Sequence, residues 1–195
     1  FWRRSTLKLF EEEHELFMEY LKDSRHPERD TLMYLLTYRA GMRIGCVAQL
    51  KIADIAEVQK RSVKPMQVCV LRKEITKGSK TTMAYLSHPE LQQAIVNYLE
   101  TLSPTRRHPE LMFVTQKGYP LTPNVASQIM LKHYNKAGFH GSSSHSGRAQ
   151  FATNCLKGGV DIVAVSKLMG HTSLNTTMKY IRHNQEELTK MVANI

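Results

Sequence analysis

The chain of 195 residues has no long hydrophobic run: no stretch of about 18 apolar residues occurs, which argues against a membrane-spanning helix. No signal peptide is visible either. Cysteine is scarce as well, since Cys46, Cys69 and Cys155 are the only three and show no paired spacing. An odd, dispersed set is typical of free thiols in a reducing compartment. We therefore expect a cytoplasmic protein with no membrane partner.

Acidic residues are also in short supply. Seventeen Asp and Glu residues stand against 27 Lys and Arg residues, so the formal net charge is +10 at pH 7. An excess of this sign favours a polyanionic partner, most simply nucleic acid. The basic residues are scattered rather than gathered in one block, and we expect them on a folded surface. A hydrophobic content of 42% is enough for one domain with a sizeable core.

Hydrophobic periodicity predicts a mostly helical chain with a different middle part. Apolar residues at helical spacing predict helices over residues 10–22, 28–40, about 44–50, 89–102, 123–137, 145–157, 161–169, 174–182 and 186–195. Short segments rich in β-branched or aromatic residues predict strands at 52–58, 66–72 and 81–86, with a hairpin turn at 77–80. The predicted fold class is α+β: mainly α with a small antiparallel β-sheet.

The last quarter of the chain carries side chains suited to phosphate chemistry. His145 and Arg148 are three residues apart on a predicted helix and so share one face. A guanidinium offers two parallel donors to phosphate oxygens. Tyr180 lies nine residues after His171, so the chain has to bend after Gly170 if both side chains face one site. A phenol is a weak nucleophile at neutral pH, and neighbouring arginines and histidines would supply the activation.

These residues resemble the tyrosine recombinases, the phage-integrase and Xer-like group of site-specific DNA recombinases. The family's H-x-x-R box is similar to residues 145–148, its L-G-H segment to residues 168–171, and its nucleophile falls on Tyr180. Upstream, residues 40–45 resemble the box that carries the first catalytic arginine. The hairpin turn at 76–80 resembles the turn that carries the catalytic lysine. The resemblance spans roughly residues 7–190.

The resemblance implies a tyrosine-recombinase catalytic-domain fold that cleaves and rejoins DNA strands through a 3′-phosphotyrosine. That reaction serves integration and excision of mobile DNA or the resolution of dimers. It implies six catalytic residues: Arg43, Lys77, His145, Arg148, His171 and Tyr180. The two arginines and His171 would bind the phosphate, Lys77 would protonate the leaving oxygen, His145 would assist proton transfer, and Tyr180 would attack. The resemblance implies no cofactor and no metal, and the sequence holds no H-E-x-x-H or C-x-x-C spacing.

The resemblance also predicts how the chain is organised. We expect residues 1–6 to be a linker remnant, residues 7–185 to form the catalytic domain, and residues 186–195 to form a C-terminal helix. That helix either packs on its own domain or docks on a neighbouring protomer. The family's N-terminal core-binding domain is absent from this sequence, and a start at Phe1 suggests an excised fragment. The implied partners are double-stranded DNA, further copies of the chain in a tetramer on a DNA synapse, and accessory proteins.

The sequence departs from the family pattern at two places. The family usually has Glu or Asp three residues after the first arginine, where this chain has Cys46, and loss of that acid would weaken the arginine clamp unless another group replaces it. The second box commonly reads H-x-L-R-H, and Gly147 and Ala149 stand here at positions outside the essential chemistry. Two alternatives remain: a DNA-binding relative without catalysis, which Cys46 favours, and a type IB topoisomerase.

Overall fold

Helices dominate the structure, a computed structural model that describes residues 11–59, 62–76 and 81–180. The α-helices of this part are α1 Glu11–Lys22, α2 Pro27–Tyr38, α3 Ile44–Val47, α4 Pro89–Glu100, α5 Pro123–Lys136, α6 Ser146–Lys157, α7 Ile162–Leu168 and α8 Leu174–Met178. The strands are β1 Ala56–Gln59, β2 Ser62–Pro65, β3 Val68–Leu71 and β4 Thr82–Tyr85. The chain divides into two compact units, residues 1–151 and 152–195, and the boundary falls within α6. None of the described helices is long and apolar enough to cross a membrane.

Helix α2 lies in the core of the first unit. Residues 32–36 are fully buried, so this part of the helix is enclosed by its neighbours on all sides. It packs against α1, α3 and α4. The predicted apolar stripe of α4 forms part of this contact, because Leu91, Ile95, Tyr98 and Leu99 are buried. The helices predicted at 10–22, 28–40 and 89–102 are therefore confirmed for their described residues, with ends shifted by one or two positions.

A buried histidine attaches α1 to α2 and α4. His14 bonds to the hydroxyl of Tyr34 through Nδ1 at 2.9 Å and to Glu90 through Nε2 at 3.1 Å. Arg39 donates to the other oxygen of Glu90 at 2.8 Å. Burial would raise the pKa of Glu90, but the bonds from His14 and Arg39 outweigh it and lower that pKa to about 2. The Glu90 carboxylate is thus ionised and paired at the place where α1, α2 and α4 meet.

A second polar network attaches α1 to α5. Tyr20 donates to Nδ1 of His133 at 3.2 Å, and His133 donates from Nε2 to the buried carboxylate of Asp30 at 2.9 Å. Arg29 completes the network with an ion pair of 2.7 Å to Asp30. Burial opposes ionisation of Asp30, yet His133 and Arg29 together lower its pKa. Buried charges of this kind are tolerated because they are paired and hydrogen-bonded.

The middle of the chain forms two separate two-stranded antiparallel sheets. Strand β1 pairs with β2, from Ala56 opposite Pro65 to Gln59 opposite Ser62. Strand β3 pairs with β4, from Val68 opposite Tyr85 to Leu71 opposite Thr82. The prediction of a small amount of antiparallel β structure is confirmed, but the described strands form two separate sheets and not the single sheet that was predicted. Strand β2 was missed because its sequence, Ser-Val-Lys-Pro, is exposed at alternate positions and carries no apolar run. The predicted turn at 77–80 lies outside the described residues.

The second unit contains α7 and α8 after the end of α6. Asp161 caps α7 as predicted, because its carboxylate accepts from the amides of Val163 at 2.8 Å and Ala164 at 3.1 Å. Gly170, with φ of 57°, ends this region in a left-handed conformation that favours glycine. Helix α8 ends at Met178, so the described part of the chain holds a shorter helix than the one predicted for 174–182. The predicted linker at 1–6 and tail helix at 186–195 lie outside the described residues.

Candidate active site

Arg43 stands at the start of α3, immediately after a tight turn. The turn is centred on Gly41, whose φ of 62° suits glycine, and the amide of Met42 donates back to Leu36 at the end of α2 at 3.0 Å. A side chain at Gly41 would also overlap the ring of Phe151. Arg43 itself is the extended N-cap residue of α3 and is half-buried. The turn therefore fixes where the first arginine leaves the core.

Arg148 lies in the first turn of α6 and is only 7% exposed. Its Nη1 donates to the backbone carbonyl of Gly41, so the second arginine is fixed to the same turn that precedes the first. The neighbouring Gly147 makes this approach feasible, because a Cβ there would overlap Thr37 Oγ1 of α2. Gly147 was predicted to lie outside the essential chemistry; it is a close-packing position that brings Arg148 to its partner. Arg148 therefore lies on a buried face of α6.

His145 directly precedes α6 and begins its hydrogen-bonding pattern. Its carbonyl accepts from the amide of Ala149 at 2.9 Å, and its own amide donates to Ser143 Oγ at 3.2 Å. The residue is exposed, whereas Arg148 is buried, so the two side chains differ in their access to solvent. Partial desolvation of the ring, together with the positive charges of Arg148 and Arg43, lowers the pKa of His145 below its ordinary value of 6.5. These effects favour the neutral imidazole, the form that can accept a proton.

Cys46 occupies the position where the family usually has an acid. Its side chain is 3% exposed, and its thiol donates to the carbonyl oxygen of Ile75 at 3.1 Å. Burial raises the pKa of the Cys46 thiol above its ordinary value, although Arg43 and Arg148 act in the opposite direction. The group next to the arginines is thus a neutral hydrogen-bond donor and not a carboxylate.

Lys77 lies outside the described residues, but the chain leading to it is described as far as Thr76. Residues Lys73–Ile75 form one 3-10 turn. Before this turn, Arg72 donates to the carbonyl of Gln49 at 2.9 Å and to Asp54 at 3.1 Å. The described segment that ends at Thr76 is therefore held against the region that follows α3.

His171 and Tyr180 are brought together in the second unit. Their rings are stacked with centroids 6.3 Å apart and planes inclined by 14°. The bend required after Gly170 is therefore present within this unit. The ring of His171 is held by a 2.8 Å hydrogen bond between its Nδ1 and the hydroxyl of Thr177, which is fully buried on α8. Sequence reasoning missed Thr177, and a threonine inside a short helix gives no signal of such a contact.

Thus the five described members of the six predicted residues are distributed over both units. Arg43, His145 and Arg148 belong to the first unit, in which the two guanidinium charges act on one imidazole. His171 and Tyr180 form the pair in the second unit. Among residues 11–59, 62–76 and 81–180, no group of three or more His, Cys, Asp or Glu side chains is arranged to hold a metal ion.

Comparison with known proteins decides the family. The model of the phage integrase family matches residues 8–187 of the chain. The chain belongs to the phage integrase family. Among relatives of this integrase-family chain, tyrosine recombinase XerD of Corynebacterium glutamicum is 32% identical over 167 residues, which cover 84% of this chain and 51% of the relative. Tyrosine recombinase XerC of Staphylococcus epidermidis is 29% identical over 189 residues, which cover 95% of this chain and 60% of the relative.

Solved structures of the same group share the fold of this integrase-family chain. The crystal structure of the XerH site-specific recombinase bound to difH substrate, in a pre-cleavage complex, superposes with a TM-score of 0.69 at 25% identity. The superposition covers 96% of this chain and 55% of that one. The predicted resemblance to tyrosine recombinases and their catalytic-domain fold is confirmed. The chain spans about half to three fifths of the length of these relatives.

Proposed function

We propose that this integrase-family chain is the catalytic part of a site-specific DNA recombinase that cleaves and rejoins DNA strands through a 3′-phosphotyrosine. The observation that carries the proposal is the fixing of Arg148 to the Gly41 turn, directly before Arg43. Two guanidinium groups from distant parts of the sequence thereby act on the imidazole of His145. Clustered guanidinium charges suit a phosphate whose negative charge grows in the transition state.

Binding of the scissile phosphate is the first role in this proposal. Arg43 and Arg148 would donate to the non-bridging oxygens and stabilise the pentacovalent transition state. His171 would give a further hydrogen bond, and because Thr177 engages Nδ1, the proposal assigns Nε2 to the phosphate. Removing one such donor typically lowers the rate about 10²- to 10³-fold.

Bond exchange at phosphorus is the second role. The phenol oxygen of Tyr180 would form a bond to phosphorus while the bond to the 5′-oxygen breaks, and the electron pair of that bond stays on the oxygen. Lys77 would give its proton to this oxygen, which leaves as a 5′-hydroxyl. His145, whose lowered pKa favours the neutral imidazole, would assist proton transfer at the phosphate or the tyrosine, and the phenolic proton of Tyr180 would pass to this imidazole or to solvent. The covalent intermediate keeps the ester, so rejoining to a new 5′-end reverses the same steps.

The proposed partners follow from this chemistry. Double-stranded DNA is the substrate, in keeping with the net charge of +10 and with the DNA-bound state of XerH. Strand exchange between two duplexes needs several active protomers, and we assign a tetramer on the DNA synapse, with accessory proteins as a further class of partner. The cytoplasm, where DNA is available, is the proposed location. Residues 7–185 would form the catalytic domain.

A covalent-capture experiment tests the function. The chain is incubated with a pool of nicked duplexes that carry randomised sequence around the nick, so that cleavage releases a short strand and traps the adduct. We expect a protein–DNA adduct that survives denaturation, and sequencing of the trapped DNA identifies the preferred site. Tyr180→Phe should form none, whereas Tyr85→Phe, which removes the hydroxyl of an exposed tyrosine on β4, should form as much as the unmodified chain.

The alternatives give different results in the same experiment. A DNA-binding relative without catalysis would bind DNA in a salt-sensitive way and form no adduct. A type IB topoisomerase would form the adduct and relax a plasmid but would not exchange strands between two duplexes. An adduct that persists in Tyr180→Phe would remove Tyr180 from the proposed role.

A further inference from the structure

Serine residues build the turn that leads into α6 and carries His145. The amide of Ser143 donates to Ser146 Oγ at 2.9 Å, and the amide of His145 donates to Ser143 Oγ at 3.2 Å. The amide of Ser146 in turn donates to the Ser143 carbonyl at 2.9 Å. This reciprocal pattern is that of a capping box in which a hydroxyl stands in place of the usual carboxylate. The backbone of His145 is therefore fixed within its own turn.

A further bond fixes this turn to α5. Ser127, on the second turn of that helix, donates from its hydroxyl to Ser144 Oγ at 2.8 Å, an ordinary length for an O–H···O bond. Ser144 directly precedes His145 and is only 9% exposed, so water competes weakly for this contact. On its inner side α5 is anchored in the core by Ala126 and Met130, which are buried. The residue next to His145 is thus bonded to a helix that is itself fixed.

Helix α5 contacts other parts of the arginine site as well. It packs against α3, the helix that begins directly after Arg43. The buried hydroxyl of Tyr134 accepts a hydrogen bond from the backbone amide of Gly147. Amides in the first turn of a helix have no acceptor within the helix, and here the Tyr134 hydroxyl supplies one. One helix therefore contacts the chain on both sides of His145, at residues 144 and 147, and also the helix of the first arginine.

We propose that Ser127 is a positioning residue for His145: through Ser144 it holds the imidazole at the arginine site. The proposal rests on the proposed function and adds to it a residue of α5 that lies outside the six predicted positions. Arg148 has an anchor of its own, because its guanidinium donates to the Gly41 carbonyl. Removal of the Ser127 hydroxyl should therefore displace the imidazole and leave the arginine clamp in place.

The first test follows the imidazole itself and needs no DNA. Ser127→Ala removes the hydroxyl and keeps a strong helix former in α5. Desolvation and the charges of Arg148 and Arg43 lower the pKa of His145, so a displaced ring should titrate at a higher pKa, closer to 6.5. NMR titration of the ring measures this change. Ser127→Thr keeps the hydroxyl and should leave the pKa in place, as should Ser103→Ala, which breaks a hydroxyl–hydroxyl bond in an exposed loop.

The second test measures cleavage of a nicked duplex with the sequence recovered by covalent capture. We expect Ser127→Ala to lower the single-turnover rate about 10-fold, as a misplaced catalytic group does, with the half-saturating DNA concentration unchanged. Ser127→Thr should recover most of the rate. In a His145→Ala background the same change should have no further effect, because a positioning residue acts only through the side chain that it positions.

Each remaining outcome decides the matter. If Ser127→Ala leaves either the pKa of His145 or the cleavage rate unchanged, or slows His145→Ala as much as the unmodified chain, the inference is overturned while the proposed function stands. If the unmodified chain forms no adduct, the proposed function fails and the inference fails with it. Should His145→Ala cleave too slowly to measure, a Ser144→Ala background gives the comparison, since Ser127→Ala should cost nothing more once its partner hydroxyl is gone.

Discussion

His171 and Tyr180 lie with their rings stacked 6.3 Å apart, although nine positions of the sequence separate them. The hydrogen bond from Thr177 to Nδ1 of His171 orients one member of this pair from inside α8. A buried hydroxyl on α8 therefore holds the ring of a proposed phosphate ligand that is stacked on a proposed nucleophile.

Thr177→Val should slow cleavage without unfolding the chain. Valine has nearly the shape of threonine but lacks the hydroxyl, so the ring of His171 loses its orientation. We expect the single-turnover cleavage rate at saturating DNA to fall about 10-fold, with the half-saturating DNA concentration unchanged. Thr177→Ser, which keeps the hydroxyl, is the control. Equal rates for Thr177→Val and the unmodified chain would show that the bond is not needed.

Gly147→Ala should destabilise the first unit. The new methyl group would overlap Thr37 Oγ1, which is buried and donates to the carbonyl of Tyr34 at 2.7 Å. Overpacking of this kind costs about 1–3 kcal/mol of the free energy of unfolding, measured by urea denaturation. Gly45→Ala is the control, because its Cβ would come no closer than 3.4 Å to Pro123.

A double variant identifies the cause of that loss. In the Thr37→Ala background the oxygen that the new methyl group meets is gone, so Gly147→Ala should cost less there than in the unmodified chain. Equal costs in both backgrounds would contradict the proposed overlap between α2 and α6.

Arg43→Gln should raise the pKa of His145. One of the two positive charges that disfavour the imidazolium is removed, so protonation becomes easier and the pKa moves toward 6.5. Titration of the ring by ¹⁵N NMR measures the change. Arg107→Gln, which removes an exposed charge stacked on Tyr119, is the control and should leave the His145 titration in place. A lower pKa of His145 in the Arg43→Gln variant would contradict the proximity of Arg43 to His145.

Glu90→Gln should lower stability at neutral pH and much less in acid. The folded-state pKa of about 2 lies below the ordinary 4.5, so the ionised carboxylate stabilises the fold fully above 4.5 and loses this effect as the pH falls toward 2. We expect a cost of about 1–3 kcal/mol in the free energy of unfolding at pH 7. Urea denaturation at falling pH measures it, with exposed Glu100→Gln as the control. If the free energy of unfolding differed between Glu90→Gln and the unmodified chain by the same amount at every pH, this account would be contradicted.

The sequence predicts the helices of this protein better than its strands. Helix ends are marked by single residues: the Asp161 carboxylate caps the start of α7, and Gly170, which has no side chain, adopts the left-handed conformation after its end. Strand β2 has no such marker, because half of its residues face solvent and its pairing with β1 is made by backbone groups.

The sequence predicts which side chains make up the candidate site, but it does not predict the contacts that hold them in place. The carbonyl oxygens of Gly41 and Ile75 fix Arg148 and Cys46. Every residue has such an oxygen, so the letters of the sequence cannot show which ones are used. Gly147 did give a signal, as a departure from the family pattern, but only the close approach of Thr37 shows its meaning.

The burial of Arg148 has a consequence for the energetics of the proposed DNA binding. Ordering a free arginine side chain loses about 2 kcal/mol of rotamer entropy. Because the Gly41 carbonyl already holds this guanidinium, that entropy is lost once, when the chain folds, and not at each encounter with DNA. If the chain cleaves DNA as proposed, a variant that frees Arg148 from Gly41 would keep its charge and still bind the transition state less tightly.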